Sequence, residues 1–439
     1  MLKFIPLGGI GEVTKNMFVY ETDRDILIVD CGAGFPEEET EDKLFIPDFS
    51  YLHSVNKKKN IRGVFVSHAH FDHYGALPYF LSEFDVPVFS SNLALEFIRE
   101  KISESGLNRS VNLHPLRNKE RLFLGDFKVT PFLVNHSVPN SFGFCLETPI
   151  GKIFHVSDYK FDLTPIDGQV FDFWSCVSLA KSGVLGLFSD CLGAYEKGFT
   201  QTEKGIEDTL HLLISKARGQ VFVTTLSSNI FRIKQIISSA RRLNRKVVVL
   251  GRSLETSIKI AKKLGYLKIK GGTVIEGKRK IGESKVVYLV AGSYGQRNST
   301  LMRIARGKYS QVTLKKGALV IFSADPAPPN TKDRVDKLVD LLTVKGAMVH
   351  YYEIQENLHT SGHGSAGDIR LLMALVKPKF LIPIGGSPRH MRAYSLLASE
   401  MGVNRKKVFE LLPGETLLLV QDKVQRGPRI KLKEREVLV

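Results

Sequence analysis

The sequence predicts an α/β protein of more than one unit, and three observations carry that expectation. Its 439 residues suffice for two or three domains of ordinary size. Up to Asp158 the chain reads mainly as short strands separated by turns, whereas beyond Asp190 strand and helix alternate as they do around a parallel sheet. Between these patterns no repeat and no low-complexity stretch intervenes.

Ile26-Leu27-Ile28-Val29 and Val64-Phe65-Val66 are compact apolar runs of the buried-strand type. Phe127 to Phe132 alternates more loosely. Val221 to Thr225 reads as a strand, and the helix after it brings Ile230, Ile233, Ile237 and Ala240 onto one face, with Ser227 or Ser228 as its N-cap. Val247 to Leu250 is the next strand, followed by a helix from about Ser253 to Leu264 that ends at Gly265. Ala318 to Ser323 runs into a chain reversal at Asp325-Pro326-Ala327-Pro328-Pro329, then a helix from Lys332 to Leu342. A helix at Ile369–Val376, a strand at Phe380–Ile384 and a β-rich tail follow. That last segment is too small for an independent core and is expected to complete the first domain.

Composition narrows the class. Hydrophobic residues at 43% and charged residues at 24% exclude a disordered or fibrous chain. No apolar run approaches the roughly 20 residues of a membrane span. The opening Leu2-Lys3-Phe4-Ile5-Pro6-Leu7 resembles a strand rather than a charged-then-apolar leader, so no cleaved signal is expected. Cys31, Cys145, Cys176 and Cys191 form no CxxC pair, which suits reduced thiols in a cytoplasm. The net charge is +17, and from Phe231 to Lys280 fifteen Lys/Arg face only Glu255 and Glu276. A positive excess this concentrated points to a polyanionic partner, with nucleic acid the obvious one.

The sharpest signal is Ser67-His68-Ala69-His70-Phe71-Asp72-His73, directly after a strand. Three imidazoles and a carboxylate in six residues cannot pack as ordinary core, because each needs a hydrogen-bond or metal partner. Nitrogen and carboxylate donors of this kind suit Zn²⁺, Mn²⁺ or Fe. With Asp30, His136 and Asp158 they resemble the successive motifs of the metallo-β-lactamase superfamily, an αββα sandwich. The resemblance implies that His68, His70 and His136 hold one divalent ion, that Asp72 and His73 hold a second, and that Asp158 bridges both. Asp30 would orient the loop from behind.

Further along, Ser189-Asp190-Cys191 with Gly198-Phe199-Thr200 and Glu203 is similar to motif A of the β-CASP nucleases, and His359-Thr360-Ser361-Gly362-His363-Gly364-Ser365 to their motif B. Pro6-Leu7-Gly8-Gly9-Ile10-Gly11-Glu12, Thr225 to Arg232 and Gly292-Ser293-Tyr294-Gly295-Gln296 extend the likeness to the ribonuclease J family. It implies residues 1–198 and 356–439 as one metallo-β-lactamase domain, interrupted by a parallel-sheet β-CASP domain at 199–355. The family's additional C-terminal domain is not expected in this chain. It further implies a cytoplasmic metal-dependent ribonuclease with two ions (Zn²⁺ or Mn²⁺, with Mg²⁺ an option at the second), acting as a 5′-to-3′ exonuclease, an endonuclease or both. RNA is the expected partner, no membrane is involved, and a homodimer is among the expectations. Asp190 and His363 would supply a proton to the leaving oxygen. Ser227, Ser228, Asn229, His359, Ser361, Gly362 and Gly364 would contact phosphates.

One departure stands out. The family's motif C carries a histidine ligand of the second ion where this chain has Gly385, in Pro383-Ile384-Gly385-Gly386-Ser387-Pro388-Arg389-His390. His390, five residues on, is an alternative donor. Two rival readings stay open: a catalytically weakened RNA-binding protein that acts with an active nuclease, and a small-molecule hydrolase on the same metal fold.

Overall fold

A computed structural model describes residues 1–34, 43–56, 59–275, 282–324, 331–421 and 423–438. The expected reversal at Asp325–Pro329 and the basic residues 278–280 lie outside these. Strict alternation along the first strands sorts their side chains to two faces. Phe4, Phe18, Tyr20, Leu27, Val29 and Phe65 share one buried cluster, while Ile5, Val19, Ile26, Ile28 and Val64 join another that includes the helices Leu77–Glu83 and Asn92–Glu104. These strands belong to an eight-stranded sheet with the order 423–426, 417–420, 2–8, 17–21, 25–29, 60–65, 88–90, 113–115.

The aromatic face meets a second, six-stranded sheet, ordered 380–384, 186–190, 151–156, 141–148, 127–134, 122–124. Phe4 packs on Phe188 with ring centroids 4.5 Å apart, Phe65 on Phe144 at 5.7 Å, and Phe18 on His155 at 5.0 Å. The helices Phe173–Ala180, Ala366–Val376 and Pro388–Glu400 bury their apolar faces in the same cluster as this second sheet. The layers therefore run helix, sheet, sheet, helix, as expected. The strand Phe380–Ile384 extends the second sheet and Leu417–Val420 the first, so the end of the chain completes both.

A third sheet is wholly parallel, with order 274–275, 246–250, 286–290, 221–224, 319–322, 348–350. The helix after Val221–Thr224 runs from Ile230 to Arg242 and buries Ile230, Ile233, Ile237 and Ala240. Its cap differs from the expectation: Asn229 accepts the Arg232 N–H at 2.9 Å, and neither Ser227 nor Ser228 caps it. Asparagine suits this position because its oxygen reaches the orphan N–H three residues on.

A buried ion cluster ties the parallel-sheet unit to the sandwich. Arg232 is fully buried; it donates to Glu203 Oε2 at 2.7 Å, Ser323 Oγ at 2.6 Å and the Leu358 carbonyl at 2.8 Å. Lys160, also buried, sits 3.4 Å from Glu203 Oε1 and donates to the Ser361 carbonyl at 3.0 Å. Burial alone would raise the Glu203 pKa, but the Arg232 and Lys160 cations outweigh it and hold it at about 2.

Glu203→Gln keeps the shape but leaves Arg232 buried without its counter-charge, an expected loss of about 3–5 kcal/mol. Thermal unfolding followed by circular dichroism at pH 7 checks this. A depressed carboxyl stabilises above its unfolded value of about 4.3, and that contribution is lost as pH falls toward its folded value of about 2. The gap between wild type and variant should therefore close through that window.

Candidate metal centre

The loops that carry the candidate residues leave the carboxyl ends of neighbouring strands. His68 to His73 follow Asn60–Phe65, His136 follows Phe127–Val134, Asp158 follows Gly151–Val156, and Asp190 ends Gly186–Asp190. Both sheets thus aim their strand ends at one crevice, the usual location of a site in such sheets.

Single donor atoms of His68, His70, His136 and Asp158 lie within 4.8 Å of one another. Asp158 Oδ2 is 3.5 Å from both His68 Nε2 and His136 Nε2, and His70 Nδ1 is 2.9 Å from His136 Nε2. His68 Nε2 is buried and makes no hydrogen bond. The opposite nitrogens are engaged: His68 Nδ1 with Ser67 Oγ at 2.9 Å, His136 Nδ1 with the Gly362 carbonyl at 2.7 Å, His70 Nε2 with Ser137 Oγ at 3.1 Å. Burial lowers the pKa of His68 and His136, assisted by the neighbouring imidazoles, and takes His70 to about 4. Neutral rings whose inward nitrogens crowd one carboxylate, that of His68 without any hydrogen bond, fit a divalent cation.

Asp30 stands behind this set, fully buried and in a left-handed backbone conformation at φ 61°. Its carboxylate accepts the Ser67 N–H at 2.7 Å, Ser67 Oγ at 3.0 Å, Ser157 Oγ at 2.9 Å and His73 Nδ1 at 2.8 Å. The chain of contacts continues through Ser157 Oγ to His155 Nε2 at 2.9 Å, and from His155 Nδ1 to the Tyr20 hydroxyl at 2.8 Å. Sequence reasoning missed Ser67, Ser157, His155 and Tyr20 in this role, since none has a spacing that sets it apart.

His73 Nε2 faces Asp158 Oδ1 at 3.4 Å and Asp72 Oδ2 at 3.5 Å. Burial opposes charge on His73, yet the carboxylates of Asp158, Asp30 and Asp72 prevail and raise its pKa. Asn16, unremarked in the sequence, places its amide nitrogen 3.2 Å from His73 Nε2 and 3.4 Å from Asp72 Oδ2.

On the other flank, His363 Nδ1 is 2.7 Å from Asp190 Oδ2, and its Nε2 is 3.7 Å from Asp158 Oδ2. Burial works against the imidazolium, but Asp190 and Asp158 raise the His363 pKa to about 9. Burial raises the Asp190 carboxyl pKa in turn. Gly385 has φ 70°, and a Cβ there would meet only Asp190 Oδ1, at 3.5 Å. His390 does not stand in as a ligand: its Nδ1 is 2.8 Å from Ser387 Oγ and accepts the Ser387 N–H at 3.1 Å, capping the Pro388–Glu400 helix.

Of the candidate phosphate contacts, Ser361 is exposed and holds the His363 N–H at 3.0 Å. Gly362 and Gly364 are buried, and their lack of a side chain serves packing. A Cβ would fall 2.5 Å from His136 Cε1 at the first and 2.8 Å from Asp368 Cβ at the second. The Ser227–Ser228–Asn229 turn and the segment ending at His359 meet through Arg232. The charge-rich 231–280 stretch is less uniform than its count suggests. Arg232 and Arg245 are buried, and Lys259 and Lys262 line a separate cavity. A larger cavity of about 1250 Å³ reaches Phe71 of the histidine loop and is lined by Arg252, Arg297, Arg303, Arg306 and Lys337. Most of these cations lie beyond the stretch singled out by composition.

Residues 10–179 match the metallo-β-lactamase superfamily, 218–342 the ribonuclease J β-CASP domain, and 349–409 the Zn-dependent metallo-hydrolase RNA specificity domain. The chain is 35% identical over 429 residues to ribonuclease J of Synechocystis sp., covering 97% of this chain and 66% of that one. It is 35% identical to ribonuclease J 1 of Streptococcus pyogenes (95% and 74%) and 33% identical to ribonuclease J2 of Bacillus subtilis (98% and 77%). The chain therefore spans about two thirds to three quarters of the length of these relatives. A crystal structure of a protein of unknown function from Enterococcus faecalis V583 shares the fold, with a TM-score of 0.63 at 14% identity over 95% of this chain and 100% of that one.

Replacing Asp30 with Ala frees Ser67, His73 and Ser157 together. Divalent-ion affinity should fall about 10- to 100-fold, as read by calorimetric titration of the metal-stripped chain with Mn²⁺.

Proposed function

Because the chain belongs to the ribonuclease J family, we propose that it is a metal-dependent ribonuclease that hydrolyses RNA phosphodiesters to 5′-phosphate products in RNA processing or decay, as a 5′-to-3′ exonuclease, an endonuclease or both. The observation that carries the reading is the convergence of His68, His70, His136 and Asp158 beside the Asp190–His363 pair. A divalent ion on the first set supplies water activation and polarisation of a phosphoryl oxygen; the nitrogen-rich donors suit Zn²⁺ or Mn²⁺. The second position implied by the resemblance, with Mg²⁺ among its options, has fewer and oxygen-rich donors.

The chain's own groups do the rest. Asp190 accepts the Nδ1 proton of His363 and so fixes the ring, leaving Nε2 directed toward the crevice near Asp158. As water adds to phosphorus and the P–O3′ bond breaks, the electron pair departs on the 3′-oxygen and His363 Nε2–H gives that oxygen its proton; the proton lost by the attacking water passes to solvent, from which His363 is reprotonated. Lys160 holds the Ser361 carbonyl and the Gly362 carbonyl meets His136, so the loop is registered against His136 directly before His363. Residues 1–198 with 356–439 form the catalytic domain in this reading, and 199–355 the RNA-gripping insertion. Ser227, Ser228, Asn229, His359, Ser361, Gly362 and Gly364 remain its candidate phosphate contacts. Four buried, free cysteines accord with a cytoplasmic setting, and a homodimer is part of the proposal. Among the described residues no helix is long and apolar enough to cross a membrane.

Purified protein with Mn²⁺ should cleave 5′-monophosphorylated RNA. His363→Ala should lower the rate about 10²- to 10⁴-fold while RNA binding, followed by fluorescence anisotropy, persists. Intact RNA with binding retained would favour the reading of a non-cutting partner of an active nuclease. Reversing Arg297, Arg303 and Arg306 to Glu should weaken RNA binding and reduce its log–log salt slope by roughly two. The same reversal at Lys259 and Lys262, on the separate cavity, should leave the slope in place.

A further inference from the structure

The donors expected for a second ion do not fit one. His73 Nε2, Asp72 Oδ2 and Asp158 Oδ1 are its protein ligands in prospect, and Gly385 brings no side chain to join them. Two of those three atoms are already engaged by Asn16. Its amide nitrogen lies 3.2 Å from His73 Nε2, 3.4 Å from Asp72 Oδ2 and 3.2 Å from the Asp72 carbonyl. An amide nitrogen this close to both atoms competes with a cation for the same space, and a carboxylate oriented by an amide has part of its charge satisfied.

Asn16 is also held in place. It is buried, its N–H donates to the Asp72 carbonyl at 3.0 Å, and its own carbonyl accepts the Gly32 N–H at 2.8 Å. Behind it, Oδ1 lies where a Cβ on Gly9 would stand only 2.3 Å away, so the side chain has a wall at its back. Gly9 sits at φ 71°, which only glycine adopts without cost, and this admits the amide to the cluster. The first set differs: it has four donors, one of them a buried and unpartnered nitrogen, and the 2.9 Å approach of His70 Nδ1 to His136 Nε2 joins two donors of the set rather than bringing in an amide.

We infer that this chain is a one-ion protein: a divalent cation sits on His68, His70, His136 and Asp158, while the Asn16 carboxamide, held between His73 and Asp72, takes the place of a second. The inference rests on the proposed use of the first set as a metal site, and it concerns the ion count rather than RNA cleavage.

The test is a count. The full chain, saturated with MnCl₂ and dialysed against metal-free buffer, should retain one ion by inductively coupled plasma mass spectrometry, and the stripped chain should titrate with Mn²⁺ in one calorimetric step. Asn16→Asp combined with Gly385→His exchanges the amide for a carboxylate and adds an imidazole. That variant should retain two ions, with the second bound about 10- to 100-fold tighter than any second step of the wild type. Two retained ions in the wild type would overturn the inference, as would two in Gly385→His with Asn16 intact. No retained ion would overturn it together with the metal centre. If the double variant fails to fold by circular dichroism, the wild-type count still decides. A chain that holds one ion and leaves RNA intact would sink the ribonuclease reading and leave this one standing.

Discussion

A single buried carboxylate organises the crevice. Asp30 has no access to water, and burying an unpaired charge is costly enough that its four donors are structural necessities. Those donors come from Ser67, His73 and Ser157, on loops that leave strands of both sheets. Satisfying one anion therefore fixes the separation of the histidine loop from the loop that carries Asp158. The left-handed backbone at Asp30 turns the chain out of its strand so that the carboxylate points back toward these loops. Candidate metal ligands can be precise only if something behind them is rigid, and here that element is Asp30 with its Ser157–His155–Tyr20 extension into the aromatic core.

A second buried charge cluster does for the two units what Asp30 does for the two sheets. Glu203 lies between Arg232 of the parallel-sheet unit and Lys160, two residues beyond Asp158. Ion pairs of this kind add little net stability against an apolar core, but removing one member leaves the others stranded. Lys160 and Arg232 also hold the carbonyls of Ser361 and Leu358, at either end of the segment leading into His363. Asp368 completes the arrangement by accepting the N–H groups of Phe161, Thr200 and Ser365. The loop bearing the proposed proton donor is thus referenced both to the loops of the histidine cluster and to the parallel-sheet unit, so the two units keep one register at the crevice.

Much of this was legible locally. The strand at Phe380–Ile384 and the buried face of the Ile230–Arg242 helix follow from apolar periodicity, which reports one face of one element. The clustering of His68 to His73 was visible because six adjacent residues cannot be far apart. Other features were hidden for physical reasons. Ser227 and Ser228 are the caps expected from sequence, and the structure instead starts the helix one residue later, so that Asn229 takes the capping position. Charge counting located a basic stretch without revealing that Arg232 and Arg245 point inward, or that Arg297, Arg303 and Arg306, spread thinly along the chain, share a cavity beside Phe71.

By itself, the sequence determined the α/β class, the alternation that builds a parallel sheet, the family resemblance and the list of candidate donor side chains, because each of these depends on residue type and short-range spacing. Tertiary structure decided which donors meet. His136 and Asp158 reach His68 only because two sheets stack by their aromatic faces, and Asn16 reaches His73 and Asp72 only because Gly9 admits it. Such meetings depend on the packing of segments far apart in the chain, and no local pattern of residues encodes a distance across a sandwich.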